Sequence, residues 1–208
     1  MEWQNTSVTV DYTGKEEPAI FNDNELIDIV RFRLSKNRFQ HSLQVARVAK
    51  EMAERFGIDP DKAYRAGILH DYAKGIASQE LIAIAQANNM ALGEVDELVP
   101  DLLHAPVGAF LLEKELGITD GEILAAVSNH TLGSPSMGDL DKIIFLADMI
   151  EPGRDFPGIE RLSCLALRNL DEGMLFALEV TIKYCLQEKR ILHPRTIETR
   201  NCFLLKMR

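Results

Sequence analysis

Four histidines and two aspartates occur along the chain in an order that suits a metal-binding centre. His70 and Asp71 are adjacent near the end of an apolar helical stretch, and the other members lie on both sides of this pair. These are His41 upstream and His104, His130 and Asp148 downstream. Imidazole and carboxylate groups without thiolates favour iron, manganese, nickel, zinc or cobalt over calcium. The order predicts a site for two divalent metal ions.

Each candidate ligand falls on the apolar face of its own helical segment. Residues at i, i+3, i+4 and i+7 share one side of a helix, so His41 shares a side with Val45 and Met52, and His130 shares one with Ile123. A lone histidine on such a face is most simply a hydrogen-bonded core residue. Four imidazoles and two carboxylates converging without a cation would leave costly unpaired polar atoms. Metal binding is therefore the simpler explanation for the whole set.

The elements that carry these residues are predicted to be helices. Asp59-Pro60 favours a helix start, Gly57 and Gly117 favour helix ends, and Thr119–Glu122 has the pattern of a capping box. Eight or more helices are expected, and no repeat or interdomain linker interrupts them. We predict an all-α helical bundle, a single domain over residues 22–208. Residues 1–21 form a short N-terminal arm, with a Thr/Val alternation typical of a strand or a flexible segment.

Composition and charge limit the classes of partner. The chain has 208 residues, 46% hydrophobic and 26% charged, which is globular usage. No stretch has the length of a membrane span or the pattern of a signal peptide, so we expect a cytoplasmic protein that does not bind a membrane. A formal net charge of −9 disfavours nucleic acid as a partner. Two divalent cations would still make the centre locally cationic, which is compatible with a small nucleotide.

The three cysteines form no pattern typical of a disulfide or a zinc site. Cys164, Cys185 and Cys202 are odd in number and form no C-x-x-C sequence, so we interpret them as reduced packing residues. Pairing of residues 1–21 with a second copy of the chain, which would give a homo-oligomer, stays open at this point.

The candidate ligands also carry a resemblance to a known family. Their order, together with Lys74 completing an H-D-x-x-K sequence, resembles the HD superfamily of metal-dependent phosphohydrolases. Residues 147–158, which read Ala-Asp-Met-Ile-Glu-Pro-Gly-Arg-Asp-Phe-Pro-Gly, are similar to the YqeK branch of that superfamily. The similarity extends from about Asn22 to Asn201 and leaves residues 1–21 outside.

This resemblance implies a centre with two metal ions, iron in this family, and symmetrical hydrolysis of diadenosine tetraphosphate to two ADP. One ion would be held by His41, His70, Asp71 and Asp148, and the second by Asp71, His104 and His130. Asp71 would bridge the two ions. A hydroxide activated by both ions would attack a central phosphorus. The residues alone do not choose among the transition metals, so iron follows from the resemblance.

Four residues are candidates for contacts with the substrate. Lys74 is expected to act in catalysis together with Asp71, by offsetting charge on the phosphates. Arg154 offers a planar guanidinium for bidentate phosphate contact. Arg200 and Asn201 match a segment that recurs in the family, and a nucleotide contact is predicted there. The alternative for each of these side chains is an ordinary solvated or structural role.

Other functions are compatible with the same residues. The ligand set would equally serve a nucleotidase, a dNTP phosphohydrolase or a cyclic-nucleotide phosphodiesterase, because it does not determine which phosphorus–oxygen bond is cut. A non-catalytic helical module that binds a nucleotide or a protein partner is the alternative from a different class. Turnover measured with the metals fully loaded separates the enzymes from that module.

Overall fold

The described part of the chain, residues 21–208 of this computed structural model, is built from helices. The helices are α1 (Asp23–Arg33), α2 (Lys36–Phe56), α3 (Pro60–Leu69), α4 (Ser78–Ala87), α5 (Glu94–Leu98), a 3-10 helix (Pro100–Leu103), α6 (His104–Leu116), α7 (Gly121–Asn129), α8 (Asp139–Ile150), α9 (Ile159–Arg168), α10 (Leu170–Gln187) and α11 (Pro194–Lys206). No strand occurs within residues 21–208, and the prediction of an all-α fold is confirmed. The predicted arm lies outside the described residues apart from Phe21, which packs against the core.

Local sequence signals determine where several helices begin and end. The Asp59 carboxylate accepts hydrogen bonds from two backbone N–H groups of α3. Gly57 and Gly117 end α2 and α6 with φ angles of 71° and 62°, a region that favours glycine. The predicted capping box at Thr119–Glu122 is wrong, because Asp120 caps α7 and accepts from two backbone N–H groups. A carboxylate at this position makes charge-assisted hydrogen bonds to the positive end of the helix.

Helix α8 is the centre of the fold. All residues from Leu140 to Ala147 are buried, and α2, α3, α7, α9 and α10 pack around it. Two polar residues in this stretch have partners, since Asp141 accepts from Asn129 at 2.9 Å and Lys142 contacts Asp171 at 2.7 Å. No helix within residues 21–208 has the length and apolar character needed to cross a membrane. Because α2, α3, α7, α9 and α10 pack around α8, its last turn places Asp148 in the middle of the helical bundle.

The close approach of α2 to α3 depends on Gly67. A Cβ atom at this position would lie 2.5 Å from the Cα atom of Ala46, so any other residue would force the two helices apart. His41 lies on α2, and His70 directly follows α3. The glycine thus sets how near these two histidines can come to one another.

The three cysteines are free thiols, as predicted. Cys185 and Cys202 are half-buried, but Cys164 is exposed on α9. The interpretation of all three as packing residues is therefore wrong for Cys164. The reason is its helical phase, because α9 buries Leu162 and Ala166 and position 164 lies on the opposite side of the helix.

Candidate metal centre

The structure brings the six predicted ligand residues together where several helices end. His41 comes from α2, His70 and Asp71 directly follow α3, His104 begins α6, His130 directly follows α7, and Asp148 lies in the last turn of α8. The ring centroids of neighbouring histidine pairs are 5.0–5.2 Å apart. Their assignment as ligands stays a prediction, which the following distances test for physical fit.

Asp71 lies between two groups of imidazole nitrogens. Its Oδ1 atom is 3.3 Å from Nε2 of His104 and 3.7 Å from Nε2 of His130. Its Oδ2 atom is 3.5 Å from Nε2 of His70 and 3.8 Å from Nε2 of His41. Each gap has room for a cation at bonding distances of about 2.0–2.2 Å from nitrogen and oxygen. One carboxylate thus offers a separate oxygen atom to each of two sites.

Asp148 completes the group around His41 and His70. Its Oδ1 atom is 2.9 Å from Nε2 of His41 and 4.0 Å from Nε2 of His70. Among the described residues, sets of three place one ligand atom each within 4.8 Å of one another. These sets are His41/His70/Asp71, His70/His130/Asp148 and Asp71/His104/His130. Because the sets overlap, the donor atoms suit two neighbouring cations better than one isolated cation.

Three of the histidines are oriented by the same local contact. His70, His104 and His130 each follow the last residue of a helix, and each Nδ1 donates to the carbonyl oxygen three residues earlier. The last carbonyl groups of a helix lack partners within the helix, and the imidazoles of His70 and His130 each satisfy one of them, whereas the Asp101 carbonyl also accepts from the backbone N–H of His104. A carbonyl can only accept a hydrogen bond, which assigns the proton to Nδ1. Nε2 is left with a lone pair directed at the centre.

His41 is oriented by a residue from a distant part of the chain. Its Nδ1 atom is 3.2 Å from Oε1 of Glu151, a buried carboxylate in the turn after α8. The Oε2 atom of Glu151 accepts from the backbone N–H of Gly153 at 2.5 Å. Sequence reasoning did not select Glu151, although it lies in the Glu-Pro-Gly-Arg segment that carried the resemblance. Glu151 holds the fourth imidazole with its Nε2 atom directed at the centre.

The free lone pairs show that the residues fit metal ions. The Nε2 atoms of His41 and His70 are buried and form no hydrogen bond of normal geometry among the described residues, although Nε2 of His41 lies 2.9 Å from Oδ1 of Asp148. The Nε2 atoms of His104 and His130 are 3.1 Å apart, and two lone pairs facing each other repel. Buried polar atoms without partners are costly, whereas a divalent cation converts each of them into a ligand.

Burial and mutual charge shift the pKa values of these groups. Burial alone would raise the pKa of the Asp71 carboxyl, but the surrounding imidazoles, His70 first, hold it well below its usual range. Burial is likewise outweighed at Asp148, where His41 and His70 lower the pKa. Burial lowers the pKa of His130. The two carboxylates outweigh burial at His70 and raise its pKa, an effect that bound cations would oppose. Ionised carboxylates and a neutral imidazole are the forms that bind metals.

Two arginines border the centre. Arg154 donates from Nε to the backbone oxygen of Asp148 at 2.8 Å and from Nη2 to its carboxylate. Arg38, in the first turn of α2, donates from Nη1 to Oδ2 of Asp71 at 3.0 Å. Arg154 was predicted to lie at the site, and the structure places it there. Arg38 was not selected, although the spacing R-x-x-H puts it one turn before His41 on the same helical face.

Lys74 lies on the side of the centre that His104 occupies. Its Nζ atom donates to Oδ2 of Asp101 at 2.7 Å and is 3.4 Å from Nδ1 of His104. The side chain is 20% exposed. Lys74 thus lies beside the edge of the His104 ring that faces away from the centre, and part of its charge is already offset by Asp101.

A groove of about 1220 Å³ leads away from the centre. It begins at His130 and Asp148 and runs along the loop of residues 153–158, α9 and α10. Its lining includes the cationic and aromatic side chains of Arg154, Arg161, Lys183, Phe156, Phe176 and Tyr184, together with the carboxylates of Asp148, Asp155 and Glu179. The guanidinium carbon of Arg161 lies 4.8 Å from the centroid of the Phe176 ring. Concave sites of this composition suit ligands that combine a flat ring with negative charge.

Arg200 and Asn201 lie away from the ligand cluster. Both line a separate hollow between α10 and α11, and Arg200 donates to Oε1 of Glu179 at 2.7 Å. Glu179 also lines the groove. The structure therefore connects these two predicted substrate residues to the groove wall and does not bring them to the metal centre.

Comparison with known proteins agrees with this geometry. Residues 38–153 match the family model of the HD domain. The chain is 37% identical over 189 residues to a protein of Halalkalibacterium halodurans named "Bis(5'-nucleosyl)-tetraphosphatase, symmetrical", covering 90% of this chain and 100% of that relative. A protein of the same name from Bacillus subtilis is 38% identical over 180 residues, covering 86% and 96%. The crystal structure of an HD superfamily hydrolase from Clostridium acetobutylicum, described as involved in NAD metabolism, gives a TM-score of 0.87 at 35% identity, covering 90% of this chain and 100% of that chain.

The helical fold and its histidine–aspartate centre define an HD-type hydrolase, and the chain belongs to the HD-domain family. Within that family it groups with the proteins named symmetrical bis(5'-nucleosyl)-tetraphosphatases, to which it is similar over most of its length. The resemblance found in the sequence is confirmed.

Proposed function

We propose that this chain hydrolyses diadenosine tetraphosphate symmetrically to two ADP, with two transition-metal ions at the centre. The main support for the proposal is the position of the six candidate metal ligands. They lie at the end of a groove whose lining includes cationic and aromatic side chains. Phosphates placed at the centre would put an attached nucleoside in the groove. The name of the similar bacterial proteins supports the same activity.

The proposed reaction breaks the central phosphoanhydride bond. The oxygen of one water molecule is added to a central phosphorus, and the bond from that phosphorus to the bridging oxygen breaks, so that the second ADP leaves with the electron pair. Bound metal ions would supply the Lewis acidity that activates water and offsets phosphoryl charge. Asp71 and the imidazoles would hold those ions, and Arg154 provides a planar donor for phosphate oxygens.

Side chains along the groove support binding of a nucleoside. Phe156 and Phe176 offer aromatic surfaces for a base, and Arg161 adds a cation beside the Phe176 ring. Arg161 and Lys183 also provide cationic groups in addition to Arg154, in a lining that contains the carboxylates of Asp155 and Glu179 as well. A ligand with its phosphates at the centre and its base in the groove would meet both kinds of side chain.

Iron is our proposal for the resident metal, and it rests on the resemblance to the HD superfamily. The donor atoms would also accept manganese, nickel, cobalt or zinc. We further propose that residues 22–208 form one HD-type domain in the cytoplasm, with residues 1–21 as an arm and a small dinucleotide as partner. The single core cluster that includes both Leu26 and Phe203 supports one domain, and the net charge of −9 supports a partner other than nucleic acid.

Product analysis is the central test of the reaction. With metals loaded, diadenosine tetraphosphate should give ADP as the sole nucleotide product, and labelled water should place its oxygen in one ADP of each pair. Chromatography and mass spectrometry measure both. ATP with AMP would mean asymmetric cleavage, and release of inorganic phosphate would mean a phosphomonoesterase. A panel of dNTPs and cyclic nucleotides tests the other enzyme classes, and no turnover with fully loaded metals would favour a binding module.

The substitution Lys74→Ala should lower kcat/KM by about tenfold while leaving the metal content unchanged. The effect is limited because Asp101 already offsets part of the ammonium charge. Steady-state kinetics with elemental analysis measures both quantities, and Lys114→Ala, an exposed lysine on α6, is the matched control. Loss of metal from the Lys74 variant would instead assign this lysine to the support of His104.

A further inference from the structure

Arg38 places a positive charge at the centre but outside the groove. Its Nη1 atom is 3.0 Å from Oδ2 of Asp71, and that oxygen is 3.8 Å from Nε2 of His41. Arg154 reaches Asp148, whose Oδ1 atom is 2.9 Å from the same nitrogen of His41. The residues that line the groove include Arg154 but not Arg38. Of the two guanidinium groups at the centre, that of Arg154 thus lines the groove and that of Arg38 does not.

A symmetrical substrate requires binding groups on both sides of the bond that breaks. Diadenosine tetraphosphate has two phosphates and a nucleoside on each side, and the groove is lined by His130 and Asp148 of the centre and otherwise mainly by residues of α8, the 153–158 loop, α9 and α10. With one ADP half in the groove, the other two phosphates must lie beyond the centre. Guanidinium groups bind phosphate oxygens in a planar, bidentate manner. Resting on the proposed function, we propose that Arg38 binds the phosphates of the second half.

Lys74 is less suited to this task than Arg38. The side chain of Lys74 is 20% exposed and Nζ is 2.7 Å from the Asp101 carboxylate, whereas the side chain of Arg38 is 38% exposed. The partner of Arg38 is Asp71, a predicted metal ligand. Cations held by Asp71 would offset its negative charge, which leaves the charge of Arg38 available to a phosphate.

The first turn of α2 is basic, as is the first turn of α11, which contains Arg195. That of α2 contains no acidic residue and carries Lys36 and Arg38, whereas α1 and α3 begin with acidic residues. Negative side chains stabilise the positive end of a helix, and positive ones oppose it. Arg38 therefore does not stabilise the start of α2, and the anion that it contacts in the structure is Asp71.

Binding measurements distinguish the two halves of the substrate. Calorimetry on metal-loaded protein would use diadenosine tetraphosphate with a methylene group in place of the central bridging oxygen, and ADP as the half-length probe. Arg38→Ala and Arg38→Gln should weaken binding of the analogue about tenfold or more, and binding of ADP less than about twofold, with unchanged metal content. Arg154→Ala should weaken both ligands. Arg47→Ala, exposed on the same helix, should change neither.

Several outcomes would overturn the role of Arg38. Equal weakening of both ligands would place Arg38 in the same half-site as Arg154. Loss of metal in proportion to the lost binding would make it a support for Asp71 only. Wild-type protein that binds the analogue but does not hydrolyse diadenosine tetraphosphate would contradict the proposed function and leave the binding role of Arg38 intact. Wild-type protein that binds neither ligand would contradict both.

Discussion

Asp71→Ala is expected to lose both metal ions and to lower kcat by at least about three decades, at ~1.4 kcal/mol per decade. The reason is geometric, because the two oxygens of Asp71 face different imidazole pairs. Wild-type protein should carry up to two transition-metal ions per chain, with iron expected, and elemental analysis measures both states. His130→Ala should chiefly weaken one ion, since His130 contacts only Oδ1.

Matched variants make this result specific to the position of the carboxylate. Asp28→Ala removes an exposed aspartate from α1 and should retain full metal content and activity. Asp71→Asn keeps the shape of the side chain but removes the charge that two cations require. Full metal occupancy in Asp71→Ala, or at most one ion in reconstituted wild-type protein, would contradict a shared carboxylate between two ions.

Arg154→Ala should lower kcat/KM by about two decades and retain both metal ions. The guanidinium lies at Asp148 where the groove begins, so it can contact the phosphates on which charge develops during cleavage. Arg154→Lys should restore only part of the activity, because an ammonium keeps the charge but loses the planar fork. Steady-state kinetics on variants with verified metal content measures the effect.

The control for this variant is Arg55→Ala, which removes an exposed arginine from α2 and should leave kcat/KM unchanged. Near-wild-type activity of Arg154→Ala would show that this arginine only pairs with Asp148. A decrease explained by lost metal would show that it stabilises Asp148 as a ligand and does not contact the substrate.

The helices and the ligand faces could be predicted because both depend on local sequence. A helix start or end depends on backbone groups within one turn of the capping residue. The structure confirms the predicted start of α3 at Asp59 and the predicted ends of α2 and α6 at Gly57 and Gly117. The error at Thr119 arose within the same turn, where two residues compete to cap one helix and the carboxylate of Asp120 prevails. Periodicity likewise selects which side of a helix is buried, since that side is repeated in the sequence.

The contacts between distant segments could not be predicted in this way. Glu151 reaches His41 across 110 positions, and Arg38 reaches Asp71 across 33. No spacing rule links such pairs, because their proximity is created by the packing of α2 against α3 and α8. Arg200 shows the converse, since a residue chosen from a recurring segment pairs with Glu179 on the neighbouring helix instead of reaching the centre.

The carbonyl contacts of His70, His104 and His130 bear on which cation the protein prefers. Each ring is fixed by its own helix end, so its rotational freedom is lost during folding and not when an ion arrives. Immobilising a side chain on binding costs about 0.5–1.5 kcal/mol, and these three rings avoid that cost at the moment of capture. A rigid ligand set also adapts poorly to ions of the wrong radius or coordination geometry. We therefore expect these three fixed rings to favour cations whose radius and coordination geometry match the ligand positions.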